Sequence, residues 1–156
     1  MYNKIFMKVF VAADHGGFQL KEELNGYLMQ KEYEVEDVGA HRFDPNDDYP
    51  DFVFPAAERV VVTPGSLGII IGRSGNGEAM AANKVKGVRA AVCVSVEMAK
   101  KARLDNDANV LSLGADYINT ETVKNIVDAF LTTSFSGEER HKRRLEKIST
   151  HESSKA

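Results

Sequence analysis

Apolar residues along this chain recur in two rhythms, short solid runs and wider helical spacings, and the two alternate through most of its length. The run at 7–13, MKVFVAA, reads as a buried strand ending in Asp14, His15, Gly16 and Gly17, after which Leu20, Leu24 and Leu28 mark one face of a helix. A short strand is expected at 33–38. A polar loop, 39–51, follows; it contains DPNDDYPD and is long enough to line a site. The pattern then predicts a helix over 52–62, a strand over 67–71 and a helix carrying Glu78 to about Val85. Residues 88–94 read as a fourth strand, with Ser95 as N-cap of a helix that should end before Asn106. Residues 109–113 form the fifth strand, and Val123, Ile126, Val127, Phe130 and Leu131 fall on the apolar face of a fifth helix. The stretch 138–148, EERHKRRLEKI, reads as helical with Leu145 and Ile148 as apolar anchors, and the tail from Ser149 is expected to fray.

This alternation predicts one α/β domain over 1–156, with residues 1–6 as an N-terminal extension. Its architecture is a three-layer, Rossmann-like, doubly wound parallel sheet of five strands with helices on both faces. Ligands of such sheets bind outside the carboxyl ends of the strands. Asp14 and His15, the 72–78 loop, the Ser95 region and residues 114–116 all fall at those ends and can converge on one pocket.

The 67–83 stretch, LGIIIGRSGNGEAMAAN, carries the strongest chemical signal. An apolar strand breaks into glycines and resumes as a helix, so the backbone N–H groups of 73–77 lack helical partners and suit an anion. Glu78 is the one carboxylate in the stretch. Beside such donors it can act as a base next to an oxyanion hole, or it can be a solvated first-turn acid. Two nucleotide motifs are excluded. A P-loop needs Lys and Ser or Thr where Glu78 and Ala79 stand, and a dinucleotide fingerprint needs a small residue where Met80 stands.

Composition narrows the choice further. With 156 residues, 43% of them hydrophobic, the chain can bury the core of one domain. A net charge of -3 gives no global attraction to nucleic acid or anionic membrane, so any anion site must be local. No apolar run is long enough for a membrane span, and the first fifteen residues lack a signal peptide's apolar core, which leads us to expect a cytoplasmic protein. Cys93 is the sole cysteine and sits in an apolar run, a packing position. His15 reads either as a hydrogen-bonded loop residue or as a functional group beside Asp14. His41, His141 and His151 show no ligand spacing with it, so no metal site is expected. Arg140 and Arg144 are spaced i, i+4, which suits either a phosphate fork or a solvated basic face.

The segments ADHGGFQLK, DDYPDF, GRSGNGEAMAANKVKGVRAAVC, NDANVLSLG and RHKRR, in this order, resemble the ribose-5-phosphate isomerase B family, which includes galactose-6-phosphate isomerase subunits. The match covers nearly all of 7–148, and GxSGNGE followed by AANK is similar to the branch that uses Glu as base; the other branch has Cys where this chain has Gly72. The resemblance implies cofactor-free and metal-free interconversion of ribose 5-phosphate and ribulose 5-phosphate, a step of pentose phosphate metabolism, through a cis-enediolate. Glu78 would move the proton between C1 and C2, while Ser74 and the backbone of Arg73, Gly75, Asn76 and Gly77 would hold the enediolate oxygen. Asp14 and His15 would contact substrate, His15 toward its phosphate; Asn106 would bind a sugar hydroxyl, and Arg140 with Arg144 would clamp the phosphate. A homodimer or homotetramer is implied, with its site completed across the subunit interface. Three positions depart from the family pattern: Asp105 replaces the ring-opening His, Asp116 replaces a frequent phosphate-binding Arg, and Arg73 replaces a small residue. Isomerisation of another phosphorylated tetrose, pentose or hexose, or sugar-phosphate binding without catalysis, therefore stay open.

Overall fold

The computed structural model describes residues 7–155; the expected extension at 1–6 lies outside them. Five strands alternate with helices: β1 (Lys8–Ala13), α1 (Phe18–Gln30), β2 (Glu34–Gly39), α2 (Pro50–Val62), β3 (Leu67–Gly72), α3 (Asn76–Ala82), β4 (Ala90–Val92), α4 (Val96–Asn106), β5 (Val110–Gly114), α5 (Thr120–Thr132) and α6 (Glu139–Ser153). The strands form one parallel sheet in the order β2-β1-β3-β5-β4.

Alternation along the central strands assigns each side chain to one face. Val9, Val11, Ile69, Ile71, Leu111 and Leu113 pack with the leucines of α1 and the apolar stripe of α5. Phe10, Ala12, Ile70 and Val110 pack with Val53, Ala56, Ala57 and Val60 of α2 and with Ala81 and Ala82 of α3. Covered on both faces, the strands carry the solid apolar runs seen in the sequence. Among the described residues one charged side chain is fully buried: Lys21 on α1, whose ammonium sits 2.7 Å from Asp37 on β2 and 2.8 Å from Glu22. Asn25 adds a 3.0 Å hydrogen bond to the same Asp37 oxygen.

Several boundaries differ from the sequence reading. β4 is three residues long instead of seven, because it lies at the sheet edge and pairs only with β5. α2 begins at Pro50, a residue whose fixed φ suits the first helical turn. α3 ends at Ala82, short of Val85, and α4 runs through Asn106 instead of stopping before it. The tail expected to fray from Ser149 is helical to Ser153 as part of α6. Ile148, expected to anchor α6, is 57% exposed, and His141 is the buried residue of that helix. Cys93 is buried, as a packing residue should be, and burial pushes its thiol up to about 11. Among the described residues no helix is long and apolar enough to cross a membrane.

Candidate active site

β1 and β3 are neighbours, but the chain leaving β1 enters α1 on one face and the chain leaving β3 enters α3 on the other. Their carboxyl ends therefore part, and a crevice opens where the winding direction switches. β1 delivers Asp14 and His15 to it; β3 delivers Arg73, Ser74 and the turn into α3.

The turn is fixed from beneath. Gly75 adopts φ +83°, a left-handed conformation that favours glycine, and caps α3. Its carbonyl accepts a 2.7 Å hydrogen bond from the buried Ser112 hydroxyl on β5. The Ser74 oxygen accepts from the Asn76 N–H at 3.2 Å, which leaves its own O–H to donate elsewhere. Glu78 in the first turn of α3 is only 4% exposed. Its carboxylate occupies the space beside Gly72 that any side chain there would fill, since a Cβ at position 72 would collide with both Glu78 oxygens and its Cδ. Burial raises the Glu78 pKa above the usual carboxylate value and the charge of Asp14 adds to the rise, while the N–H groups of Glu78 and Gly75 oppose it. A carboxylate perturbed in this direction is a better proton acceptor than a solvated one.

Asp14 is buried and accepts from the Gly16 N–H at 2.9 Å. His15 meets Asp47 twice: its backbone N–H donates to Oδ1 at 3.0 Å, and its ring Nδ1 lies 2.7 Å from the same oxygen. That bond chiefly raises the His15 pKa. The 39–51 loop thus lines the crevice as its length suggested, and Phe43 stands edge-on to the His15 ring at 6.4 Å. A cleft of about 490 Å³ opens here, bordered by His15, Phe18, Phe43 and Arg73. The side chains of Asp14, His15 and Asp47 approach within 4.8 Å of one another, a grouping that histidine spacing alone did not reveal. Its 2.7 Å Nδ1–Oδ1 contact is of hydrogen-bond length, so the arrangement holds a hydrogen-bonded pair beside a second carboxylate. On the far rim Arg73 Nη1 lies 3.7 Å from Asp116 Oδ2, both side chains exposed.

Asp14, His15, Arg73, Ser74, Gly75, Asn76, Gly77, Glu78 and Asp116 are therefore brought together. Ser95 stands apart from them: it follows the edge strand β4, and its oxygen accepts from the Met98 N–H at 3.2 Å as the N-cap of α4. Asp105, Asn106, Arg140 and Arg144 form a separate group. α4 starts at the carboxyl end of the sheet and returns to its amino end, where β5 begins, so Asp105 and Asn106 lie one helix length away, roughly 16 Å for eleven residues. α6 docks there. His141 Nε2 is 3.4 Å from Asp105 Oδ1, Lys101 Nζ is 3.9 Å from Asp105 Oδ2, and Glu152 accepts from the Gly87 N–H at 3.1 Å. Arg140 and Arg144 are exposed.

Residues 9–148 match the family model described as Ribose/Galactose Isomerase. The chain belongs to that family. Within it, the ribose-5-phosphate isomerase B of Mycobacterium tuberculosis is 45% identical over 146 residues, covering 94% of this chain and 90% of the relative. The Clostridium thermocellum ribose-5-phosphate isomerase B structure superposes with a TM-score of 0.92 at 41% identity, covering 96% of this chain and all of that one. A Mycoplasma genitalium ribose-5-phosphate isomerase B structure with ribulose 5-phosphate bound gives 0.90 at 43% identity over 94% of this chain and 97% of its own. Family members share the Rossmann-like sheet, and the crevice between β1 and β3 lies where such a sheet takes its ligand.

Three contributors escaped the sequence reading. Asp47 was one acid among several in DPNDDYPD, and its pairing spans 32 residues. Ser112 sits in an apolar strand, and its alternation toward α3 was the available signal. His141 reads as one residue of RHKRR without ligand spacing to the other histidines, and the structure buries it with Nε2 3.4 Å from Asp105 Oδ1.

Proposed function

We propose that this protein interconverts ribose 5-phosphate and ribulose 5-phosphate by proton transfer, without a metal or organic cofactor. The observation that carries the reading is the buried Glu78 carboxylate, held in the volume left empty by Gly72 and within reach of the charge of Asp14. In the forward direction Glu78 takes the proton from C2 of the open aldose, and charge develops on the C1 oxygen as a cis-enediolate forms. The Ser74 hydroxyl and the N–H groups of the 73–77 turn receive that oxygen. Glu78 then returns the proton to C1 while the hydroxyl proton of O2 passes to O1, giving the ketose; the carboxylate is regenerated and nothing is consumed. His15 and Arg73 face the phosphate, and Asp14 orients a hydroxyl.

Arg140, Arg144, Asp105 and Asn106 serve the site of a second subunit, since the fold holds them at the opposite end of the sheet from Glu78. A homodimer is the smallest assembly that brings Glu78 of one subunit beside Arg140 and Arg144 of its partner, and a homotetramer would pair two such dimers. The protein acts in the cytoplasm, on a small sugar phosphate and not on nucleic acid or membrane.

Asp105 supports a second reading. With a carboxylate in place of the family's ring-opening His, the preferred substrate can be an open-chain sugar phosphate such as a tetrose 4-phosphate, or the protein can bind without turnover. Purified protein assayed against aldose and ketose phosphates of four to six carbons, before and after dialysis against chelator, decides between them. The ribose 5-phosphate reading expects turnover of that pentose with deuterium from solvent entering C1 or C2, unchanged by chelator. Faster turnover of a tetrose phosphate would move the assignment to that sugar, and loss restored by a divalent ion would overturn the metal-free chemistry. Glu78→Gln should lower kcat on the order of a hundredfold or more while retaining binding.

A further inference from the structure

His15 and Asp47 are joined across 32 residues by two contacts to a single oxygen, Asp47 Oδ1, one from the backbone N–H and one from ring Nδ1. The first fixes the 39–51 loop to the end of β1. The second does something different: it commits Nδ1 to the carboxylate and leaves Nε2 as the ring atom free to meet a ligand, in the orientation used when a carboxylate sets a histidine's tautomer. The other Asp47 oxygen is buried with no hydrogen-bond partner, so the carboxylate's charge has little besides His15 to answer it.

We propose that Asp47 is a positioning residue that aims the His15 ring into the crevice and holds it as a cation toward the substrate phosphate. This rests on the sugar-phosphate reading above for the identity of the ligand, though the pairing itself can be tested without one. The groups facing His15 are Asp47 from the loop, Asp14 beside it, Arg73 from the turn after β3 and the Phe43 edge, with Glu22 of α1 bordering the same cleft. Two carboxylates favour the cation, and Arg73 and burial oppose it; the hydrogen bond to Asp47 is the largest influence and the net direction is upward. A phosphate monoester is a dianion above a pH of about 6. A cationic His15 would therefore add charge-assisted binding in the range where an ordinary histidine has lost its proton.

Asp47→Asn separates the two roles, because its amide oxygen can still accept from the His15 N–H while the negative charge is gone. Ring titration of His15 by NMR in the substrate-free protein, assigned with His15→Asn, should show the midpoint falling by about one pH unit or more in Asp47→Asn. Calorimetric binding of ribulose 5-phosphate between pH 7 and 9, where its charge is constant, should show wild-type affinity declining as His15 titrates. In Asp47→Asn the decline should begin at lower pH, leaving binding about tenfold weaker at pH 8. Asp47→Glu should restore part of the difference, and Asp47→Asn in a His15→Asn background should add nothing. An unmoved ring titration, or equal weakening at every pH, would make Asp47 a loop fastener only and overturn the proposal. Wild-type protein that shows the shifted His15 titration yet binds no sugar phosphate would instead strike the ligand assignment and leave the pairing standing.

Discussion

Arg73 Nη1 stands 3.7 Å from Asp116 Oδ2 at the rim of the crevice, an ion pair between the residues that follow the carboxyl ends of the neighbouring strands β3 and β5. In the sugar-phosphate reading proposed above, Arg73 supplies the charge that the family pattern would place at position 116, an exchange of one attachment point for another. Asp116 orients it and, being exposed, subtracts little from its field.

A paired substitution follows from that exchange. Arg73→Gly should raise KM for a sugar phosphate about tenfold, the lower end of what a charge-assisted hydrogen bond contributes. Adding Asp116→Arg to Arg73→Gly should recover most of the loss, and steady-state KM values of the two variants decide it. If the double variant is no better than the single one, the guanidinium of Arg73 does not replace the missing arginine.

The raised pKa of Glu78 predicts a pH profile and a stability change of definite sign. The base must be deprotonated, so kcat/KM should fall as pH drops through a value above the ordinary carboxylate range. For stability, the folded state keeps its proton to higher pH than the unfolded chain, so this group stabilises the fold below the unfolded pKa and loses that contribution as pH rises through the folded one. Glu78→Gln should therefore melt at or above the wild-type temperature at pH 7, and a lower melting point would argue that the carboxylate is not desolvated.

Much of the fold was legible because the central strands carry solid apolar runs and α5 a clean helical stripe. The extent of the edge strand β4 was not, since it satisfies one neighbour and its length is set by pairing, which no local pattern reports. Ile148 read as an anchor because it is apolar at helical spacing with Leu145, yet the face it belongs to is open in this chain. In the site, Glu78 was visible from its glycine turn, whereas Asp47 depended on a contact across 32 residues.

The separation of Arg144 from Glu78 gives a complementation test. In a two-fold dimer with shared sites, Glu78→Gln and Arg144→Ala should each be nearly inactive alone. Mixed and allowed to exchange subunits, half of the dimers are hybrids, and each hybrid has one site with both native residues, so about a quarter of wild-type activity should return. No recovery after demonstrated exchange would place both residues in the site of one subunit or remove Arg144 from it.

Asp105 bears on how a furanose reaches the base. Histidine can both give and take a proton near neutrality, and a carboxylate in its place does not supply both roles. His141 and Lys101 stand beside it, at 3.4 and 3.9 Å. Ring opening should then be left to solution: with ribose 5-phosphate the rate should plateau as enzyme is increased, and Asp105→His should lift the plateau. A rate that stays proportional to enzyme well beyond spontaneous opening would mean that the ring is opened on the protein, with Asp105 and His141 the first pair to test.

Position 72 and the Glu78 carboxylate compete for one volume, and that couples the two positions in any further change. A side chain at 72 would meet the Glu78 oxygens and Cδ, the far end of a flexible side chain, so the carboxylate would have to leave its place to make room. A substitution of Gly72 therefore acts on Glu78 without touching its chemistry.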